Sequence, residues 1–297
     1  MEYISFETLC GDIRSNFWKI PKDVFGVIGI PRSGMLPATI ISEFLNVGLA
    51  SSNDLDRDCD LYELFSANHG NRYMKTDSGK KILVVDDTCF SGTQNLKIRN
   101  KIENLFGDRK DFEFIYVVVY MEGNGETSMP DIYLRDIRWM ARSSENGIVL
   151  YEWNLFNHNP RTANRIMFDY DGVFCLDPPD ERNTEEYERY IKDPVPLFLP
   201  TNNPAVTINV VTYRLEKYRK ETEEFLRKNG IRNLNIRMYP SFSYEERSKT
   251  KPEIYKGNYY KNSEAILFVE SDDMQARMIR AISGKSVYCV KTNKIYK

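Results

Sequence analysis

Two pairs of acids stand out for where they fall. Asp86 and Asp87 close the aliphatic run Ile82-Leu83-Val84-Val85, while Asp169 and Asp171 follow Ile166-Met167-Phe168 and precede Gly172. Ionised carboxylates accept hydrogen bonds and donate none, so acids at the end of a strand suit a sugar diol, a cation or proton transfer. Behind the first pair come Ser91, Gly92 and Thr93, hydroxyls and unhindered N–H groups where a helix begins, and such a place favours a phosphate. No lysine occupies that turn, so it is not the nucleoside-triphosphate loop G-x-x-x-x-G-K-[ST]. Behind the second pair, a turn at Gly172 aims carboxylates two residues apart into one site. There Asp169 can attack phosphorus, and Asp171 can protonate a leaving oxygen and then take a proton from water. Asp and Ser also cap helices, and Asp-Gly pairs form turns. Neither pair decides the matter by itself.

The elements that must carry these residues alternate between strand and helix. Lys81–Val85 reads as a strand buried on both faces, followed by a helix over 95–106 with Ile98, Ile102, Leu105 and Phe106 on its apolar side and a stop at Gly107. The same geometry occurs upstream: strand Phe25–Ile30, turn Pro31-Arg32-Ser33-Gly34, helix Met35–Leu45. Gly34 permits close backbone approach, and the Arg32 fork matches phosphate oxygens. A first helix spans Phe6 to Trp18 before Pro21, and Phe114–Tyr120 is a further strand. Ser66–Lys80 has no apolar period and reads as a long loop, uncommon unless functional or disordered. Between Tyr120 and Pro160 lie Ile132, Tyr133, Ile137, Trp139, Val149, Tyr151, Trp153 and Phe156, most of them expected in a hydrophobic core.

Ile82 to Gln94 resembles the phosphoribosyl-pyrophosphate (PRPP) motif of type I phosphoribosyltransferases: hydrophobic strand, two acids, and a loop ending in Gly-Thr. The resemblance implies a mainly parallel sheet with helices on both faces and a small hood that holds an acceptor base. It implies PRPP binding by Asp86, Asp87, Thr88, Ser91, Gly92 and Thr93, and pyrophosphate binding by Arg32, Ser33 and Gly34. It also implies a mobile lid over Ser66–Lys80, whose basic residue is left between Arg72 and Lys75. Hypoxanthine–guanine enzymes of this family carry an aspartate third after the acid pair. Here that position is Phe90, which exchanges no proton, so weak or no activity on 6-oxopurines is expected.

Asp169-Tyr170-Asp171-Gly172 resembles the D-x-D-G motif of the haloacid dehalogenase (HAD) superfamily of phosphatases, and further superfamily positions follow in order. Thr212 ends the strand 208–211 with a hydroxyl suited to a phosphoryl oxygen, and a helix with Tyr218, Phe225 and Leu226 inward runs to Gly230. Lys251 opens a later helix and is the first choice to neutralise phosphate charge, with Lys256 the second. Strand 265–269 delivers Glu270-Ser271-Asp272-Asp273 to the same edge. The resemblance implies Mg²⁺ held by hard oxygens: Asp169, the Asp171 carbonyl, Glu270 as first choice from this stretch, then Asp272, then Asp273. The insert between Val173 and Thr207 is too short for a large cap.

The expected fold is therefore α/β in two domains: a phosphoribosyltransferase domain over 1–160, bounded near His158–Thr162, and a HAD-like Rossmannoid domain with a minimal cap over 161–297. At 297 residues the chain is long enough for both. With 41 Lys+Arg against 43 Asp+Glu and no long run of one sign, it offers no footprint for duplex nucleic acid or an anionic membrane. The start, Met1–Glu7, lacks the blocks of a signal peptide, and no apolar run has membrane-spanning length. Cys10, Cys59, Cys89, Cys175 and Cys289 have no metal-ligand spacing, so reduced structural thiols in a cytoplasmic protein are expected. The expected activity is bifunctional: PRPP and a nitrogenous base give a nucleoside 5'-monophosphate and pyrophosphate, and the second site then releases the nucleoside. Two rivals stay open, a PRPP or nucleotide sensor and a phosphatase whose first domain only docks substrate. A homo-oligomer also stays open.

Overall fold

The computed structural model describes residues 2–66, 80–143, 148–156, 163–182, 184–200 and 205–297, with 141–143 as backbone only. The expected lid residues Arg72 and Lys75, and the boundary stretch His158–Thr162, lie outside the described residues. The chain folds into two compact units, Glu2–Val149 and Leu150–Lys297. Both are mixed α/β and built on parallel sheets.

In the first unit, β1 (Glu2–Ile4) and α1 (Phe6–Asn16) precede β2 (Val24–Gly29), α2 (Met35–Leu45), β3 (Gly48–Ser51) and α3 (Leu61–Ser66). Then come β4 (Lys80–Cys89), α4 (Thr93–Phe106), β5 (Phe112–Met121), β6 (Ile132–Asp136) and α5 (Arg138–Ser143). Five strands form one sheet in the order β3-β2-β4-β5-β6, every neighbouring pair parallel. The centre is β4, whose Ile82, Leu83, Val84 and Val85 are all at or below 1% exposure. Alternation of side chains sends them to both faces. Ile28, Ile82 and Val84 meet Ile98, Ile102 and Phe106 of α4, whereas Gly29, one residue on from Ile28 along β2, lies against Met35 and Ala38 of α2. Helices thus cover opposite faces of the sheet. Of the residues expected mostly in a hydrophobic core, Ile132 and Tyr133 are half-buried on β6 at the sheet edge, Ile137 is buried and Trp139 is 58% exposed.

The chain passes through β7 (Val149–Tyr151) into the second unit, which holds β8 (Ile166–Phe168), α6 (Thr184–Lys192), β9 (Ile208–Leu215), α7 (Arg219–Lys228) and β10 (Leu234–Tyr239). These are followed by α8 (Tyr244–Arg247), α9 (Pro252–Lys261), β11 (Leu267–Glu270), α10 (Asp273–Ser283), β12 (Ser286–Cys289) and β13 (Lys294–Tyr296). The sheet order is β10-β9-β8-β11-β12-β13, with only the last strand antiparallel. Pro252 at the first helical position starts α9 without loss of a bonded N–H, and Asp272 caps α10 by accepting from the Gln275 N–H at 2.8 Å. Tyr260, Ala276 and Ile279 of these two helices pack on Phe268 and Val287. The order in each sheet reverses next to an acid-tipped strand, β4 in one unit and β8 in the other, the place where open α/β sheets take their ligands. Among the described residues no helix is long and apolar enough to cross a membrane, and all five cysteines are free.

Candidate functional site

In the first unit a cavity of about 300 Å³ opens at the carboxyl end of β4, and Asp86, Thr88, Ser91, Gly92 and Thr93 all line it. Asp87 is 4% exposed and lies behind them, its Oδ1 accepting the Thr88 N–H at 2.9 Å. Asp86 Oδ1 likewise accepts the Asp87 N–H at 2.9 Å. Burial, then the neighbouring charge of Asp87, pushes the Asp86 carboxyl well above the usual carboxylate range.

Parallel pairing of β2 with β4 sets the upstream turn beside these acids. A methyl group at Gly34 would stand 2.7 Å from Asp86 Oδ1 and 2.5 Å from Ile30 O, so only glycine permits this approach. Ser33 is half-buried at the mouth of the turn and Arg32 is exposed, with no ion pair among the described residues. The Pro31–Arg32 peptide bond is cis.

The cradle Cys89–Thr93 is held from behind by the segment after β5, which sequence reading missed. Cys89 O accepts the Glu122 and Gly123 N–H groups, Phe90 O accepts that of Gly125, and Ser91 O accepts that of Thr127, at 2.8 to 3.1 Å. Asn95 Nδ2 donates to Ser128 Oγ at 3.1 Å. Three consecutive carbonyls are thereby engaged, and the first N–H groups of α4 have no intrahelical partner, which leaves them for an anion. The Asn95–Ser128 link joins residues 33 apart in sequence, and no local pattern announces it.

In the second unit, a cavity of about 380 Å³ lies at the end of β8, with Asp169, Asp171, Lys256, Asp272 and Gln275 on its wall. Lys256, 3% exposed, donates to Asp169 Oδ2 at 2.5 Å, to Glu270 Oε2 at 2.8 Å and to Gln275 Oε1 at 3.0 Å. Of the two lysines the sequence offered, it is Lys256 that reaches the acids; Lys251 is exposed at the N-cap of α9. One helical turn separates N-cap from the fifth helical position, and only the latter faces the sheet. Burial, then Glu270, pushes Asp169 well above the carboxylate range. Burial works against the Lys256 ammonium, yet Asp169 and Glu270 outweigh it and raise its pKa. Two buried carboxyl groups share one ammonium.

Thr212 is fully buried, its Oγ1 accepting the Arg214 N–H at 3.2 Å. The Asp171 carbonyl accepts from Ser271 Oγ at 3.3 Å, and Glu270 Oε1 accepts the Ser271 N–H at 2.9 Å. Asp272 divides its role between the cavity wall and the α10 cap. Asp273 pairs instead with Arg277 at 2.9 Å. Among the described residues no three His, Cys, Asp or Glu side chains gather as a metal cluster. The donor set nonetheless suits a hard cation: two carboxyl groups and a backbone carbonyl beside them.

Arg214 was also missed. It is 1% exposed and grips Asp171 with Nη2–Oδ1 at 2.7 Å. The available signal was period two on a strand: Arg214 is two residues past Thr212, on the same face of β9.

No protein-family model matches the chain, and no curated protein matches it. Among solved structures, the chain is similar to a Helicobacter pylori xanthine-guanine-hypoxanthine phosphoribosyltransferase at 16% identity, covering 52% of this chain and 92% of that one, with a TM-score of 0.36. A purine phosphoribosyltransferase from Pyrococcus horikoshii is similar at 16% identity, with 52% and 94% covered and a TM-score of 0.30. A hypothetical protein from Neisseria gonorrhoeae with bound ppGpp is similar at 15% identity, with 51% and 85% covered and a TM-score of 0.31. Superpositions this loose fix neither reaction nor substrate.

Proposed function

We propose that the first unit transfers the phosphoribosyl group of PRPP to a nitrogenous base, giving a nucleoside 5'-monophosphate and pyrophosphate, and that the second removes the 5'-phosphate. The observation that carries the first half is the meeting of two turns at one strand tip: Gly34 against Asp86, with the Ser91–Thr93 cradle on the same cavity. Asp86 and Asp87 accept from the ribose hydroxyls, the cradle N–H groups hold the 5'-phosphate, and Arg32 reaches the pyrophosphate. The bond from the ribose anomeric carbon to pyrophosphate breaks as that to the base nitrogen forms.

The second half is supported by the arrangement at the β8 tip. Lys256 holds Asp169 beside Asp171, and β8 lies between β9 and β11 in a parallel order. This is the HAD-like reading of the unit. Asp169 attacks phosphorus and the ester P–O bond breaks, its oxygen taking a proton from Asp171. Water then attacks the aspartyl phosphate and returns a proton to Asp171. Mg²⁺ would be held by Asp169, Glu270 and the Asp171 carbonyl, with Asp272 in reach, and when bound it would offset charge on the phosphoryl oxygens.

The test is incubation with PRPP, Mg²⁺ and a pool of bases, with products identified by mass. Wild type should release pyrophosphate, phosphate and a nucleoside. Asp169→Asn should stop at the monophosphate, and Asp87→Asn should abolish pyrophosphate release. With Phe90 on the cavity wall, guanine and hypoxanthine should be poor acceptors. PRPP bound without pyrophosphate release would favour a sensor. Phosphate release from added monophosphate without any transferase would favour a phosphatase with a docking domain.

A further inference from the structure

Asp171 is gripped more firmly than proton transfer alone requires. Arg214 Nη2 donates to its Oδ1 at 2.7 Å, and Arg214 Nε stands 3.1 Å from both oxygens. The one Tyr190 Oη proton lies within reach of Oδ1 at 2.6 Å and of the Leu176 carbonyl at 2.7 Å, and Oη accepts from Arg214 Nη2 at 2.9 Å. The guanidinium is itself fixed. Its carbon lies 4.1 Å from the centre of the Tyr170 ring and 5.1 Å from that of Tyr190, and Nη1 reaches Thr222 Oγ1 at 3.3 Å.

Stability does not account for the clamp. Burying an ion pair this deeply costs desolvation that its attraction barely repays, and packed apolar residues do as well or better. Its effect is directional. Oδ1 collects three N–H and O–H donors and Oδ2 one, so Oδ2 keeps open acceptor capacity, and Asp171 lines the cavity beside Asp169.

We propose that Arg214 and Tyr190 are positioning residues that fix the rotamer of Asp171 and turn its Oδ2 edge to the oxygen leaving phosphorus. This rests on the phosphatase reading of the second unit and deepens it. It also gives the short insert a task, because α6 supplies Tyr190 to the site rather than only covering it.

The test uses the full chain with Mg²⁺ and two esters: a nucleoside 5'-monophosphate, whose alkoxide leaves badly, and p-nitrophenyl phosphate, whose phenolate leaves without help. General acid catalysis contributes 10²–10⁴-fold, so Arg214→Ala should lower kcat on the nucleotide roughly 100-fold with KM nearly unchanged. On p-nitrophenyl phosphate the first-turnover release of p-nitrophenolate should fall no more than about fivefold, because that step needs no proton, whereas the later hydrolysis of the aspartyl phosphate uses Asp171 with either ester. Arg214→Lys should restore part of the nucleotide rate. Combined with Asp171→Asn, Arg214→Ala should add nothing, since coupled residues are non-additive. Tyr190→Phe, which removes one oxygen and keeps the ring, should show the same ester selectivity with a smaller loss, and it carries the test if Arg214→Ala does not fold. Equal losses of first-turnover leaving-group release on both esters, additive losses with Asp171→Asn, or an unchanged Tyr190→Phe would overturn the proposal. Turnover that survives Asp169→Asn would instead overturn the phosphatase reading, which the Arg214 results alone cannot do.

Discussion

At Asp86 a residue proposed to hold the ribose costs the fold stability. Its carboxyl is drawn out of water and faces Asp87, and its pKa is driven up by that burial first and that charge second. The folded chain therefore holds this proton more tightly than the unfolded chain does. Between the ordinary carboxylate range, near about pH 4, and the raised folded value, the native state binds more protons. Stability contributed by this site accordingly falls as pH rises through that window, and the cost disappears below about pH 4, where both states are protonated. Asp86→Asn should raise the melting temperature at pH 8 by more than at pH 4.5, because an amide N–H can face Asp87 where a second charge cannot. Melting curves of the two proteins across pH check this, and a variant that melts lower at pH 8 would refute it. The same substitution should suppress pyrophosphate release, as expected where a site trades stability for function.

At the scale of elements, the first site depends on a backing segment as much as on its own loop. Gly92 has φ near +81°, and a methyl group there would stand 2.0 Å from Ser128 O. The left-handed backbone alone costs an L-residue about 1–2 kcal/mol, and the collision is with backbone, which cannot rotate away. Gly92→Ala should therefore destabilise the first unit by more than about 2 kcal/mol and weaken PRPP binding. Urea unfolding and a PRPP titration measure the two effects, and wild-type values in both would show that the segment after β5 is not holding the cradle. The sequence exposed one side of this arrangement only. Buried strands such as Ile82–Val85 and helices such as Met35–Leu45 announce themselves because their periodicity is local. The sequence reading ranks Lys251 above Lys256 and the structure reverses that order, because both lie at the start of one helix and the choice turns on which face meets the sheet. Arg214 and Tyr190 meet Asp171 across 43 and 19 residues; strand periodicity places Arg214 on the face of Thr212, but only tertiary packing brings Tyr190 to it.

At the scale of the whole molecule, the two chemistries proposed for this chain fit together if the second removes what the first makes. Phosphoribosyl transfer is reversible, and pyrophosphate drives it backward. Phosphomonoester hydrolysis in water is not reversed at ordinary phosphate concentrations. In Asp169→Asn, then, the monophosphate should climb to a plateau and fall back when pyrophosphate is added, while in wild type the nucleoside should continue to accumulate until a substrate is spent. Each unit has its own sheet and acid-tipped strand, and the two proposed reactions are assigned to separate residues. Asp87→Asn and Asp169→Asn proteins mixed in one tube should therefore make nucleoside after a lag, as free monophosphate builds up to the level the second site can use. Following both products over time by chromatography decides the point. No nucleoside from the mixture, with each variant retaining its one activity, would mean that the intermediate passes between sites without entering solution, and the two units would then have to be read as a single machine.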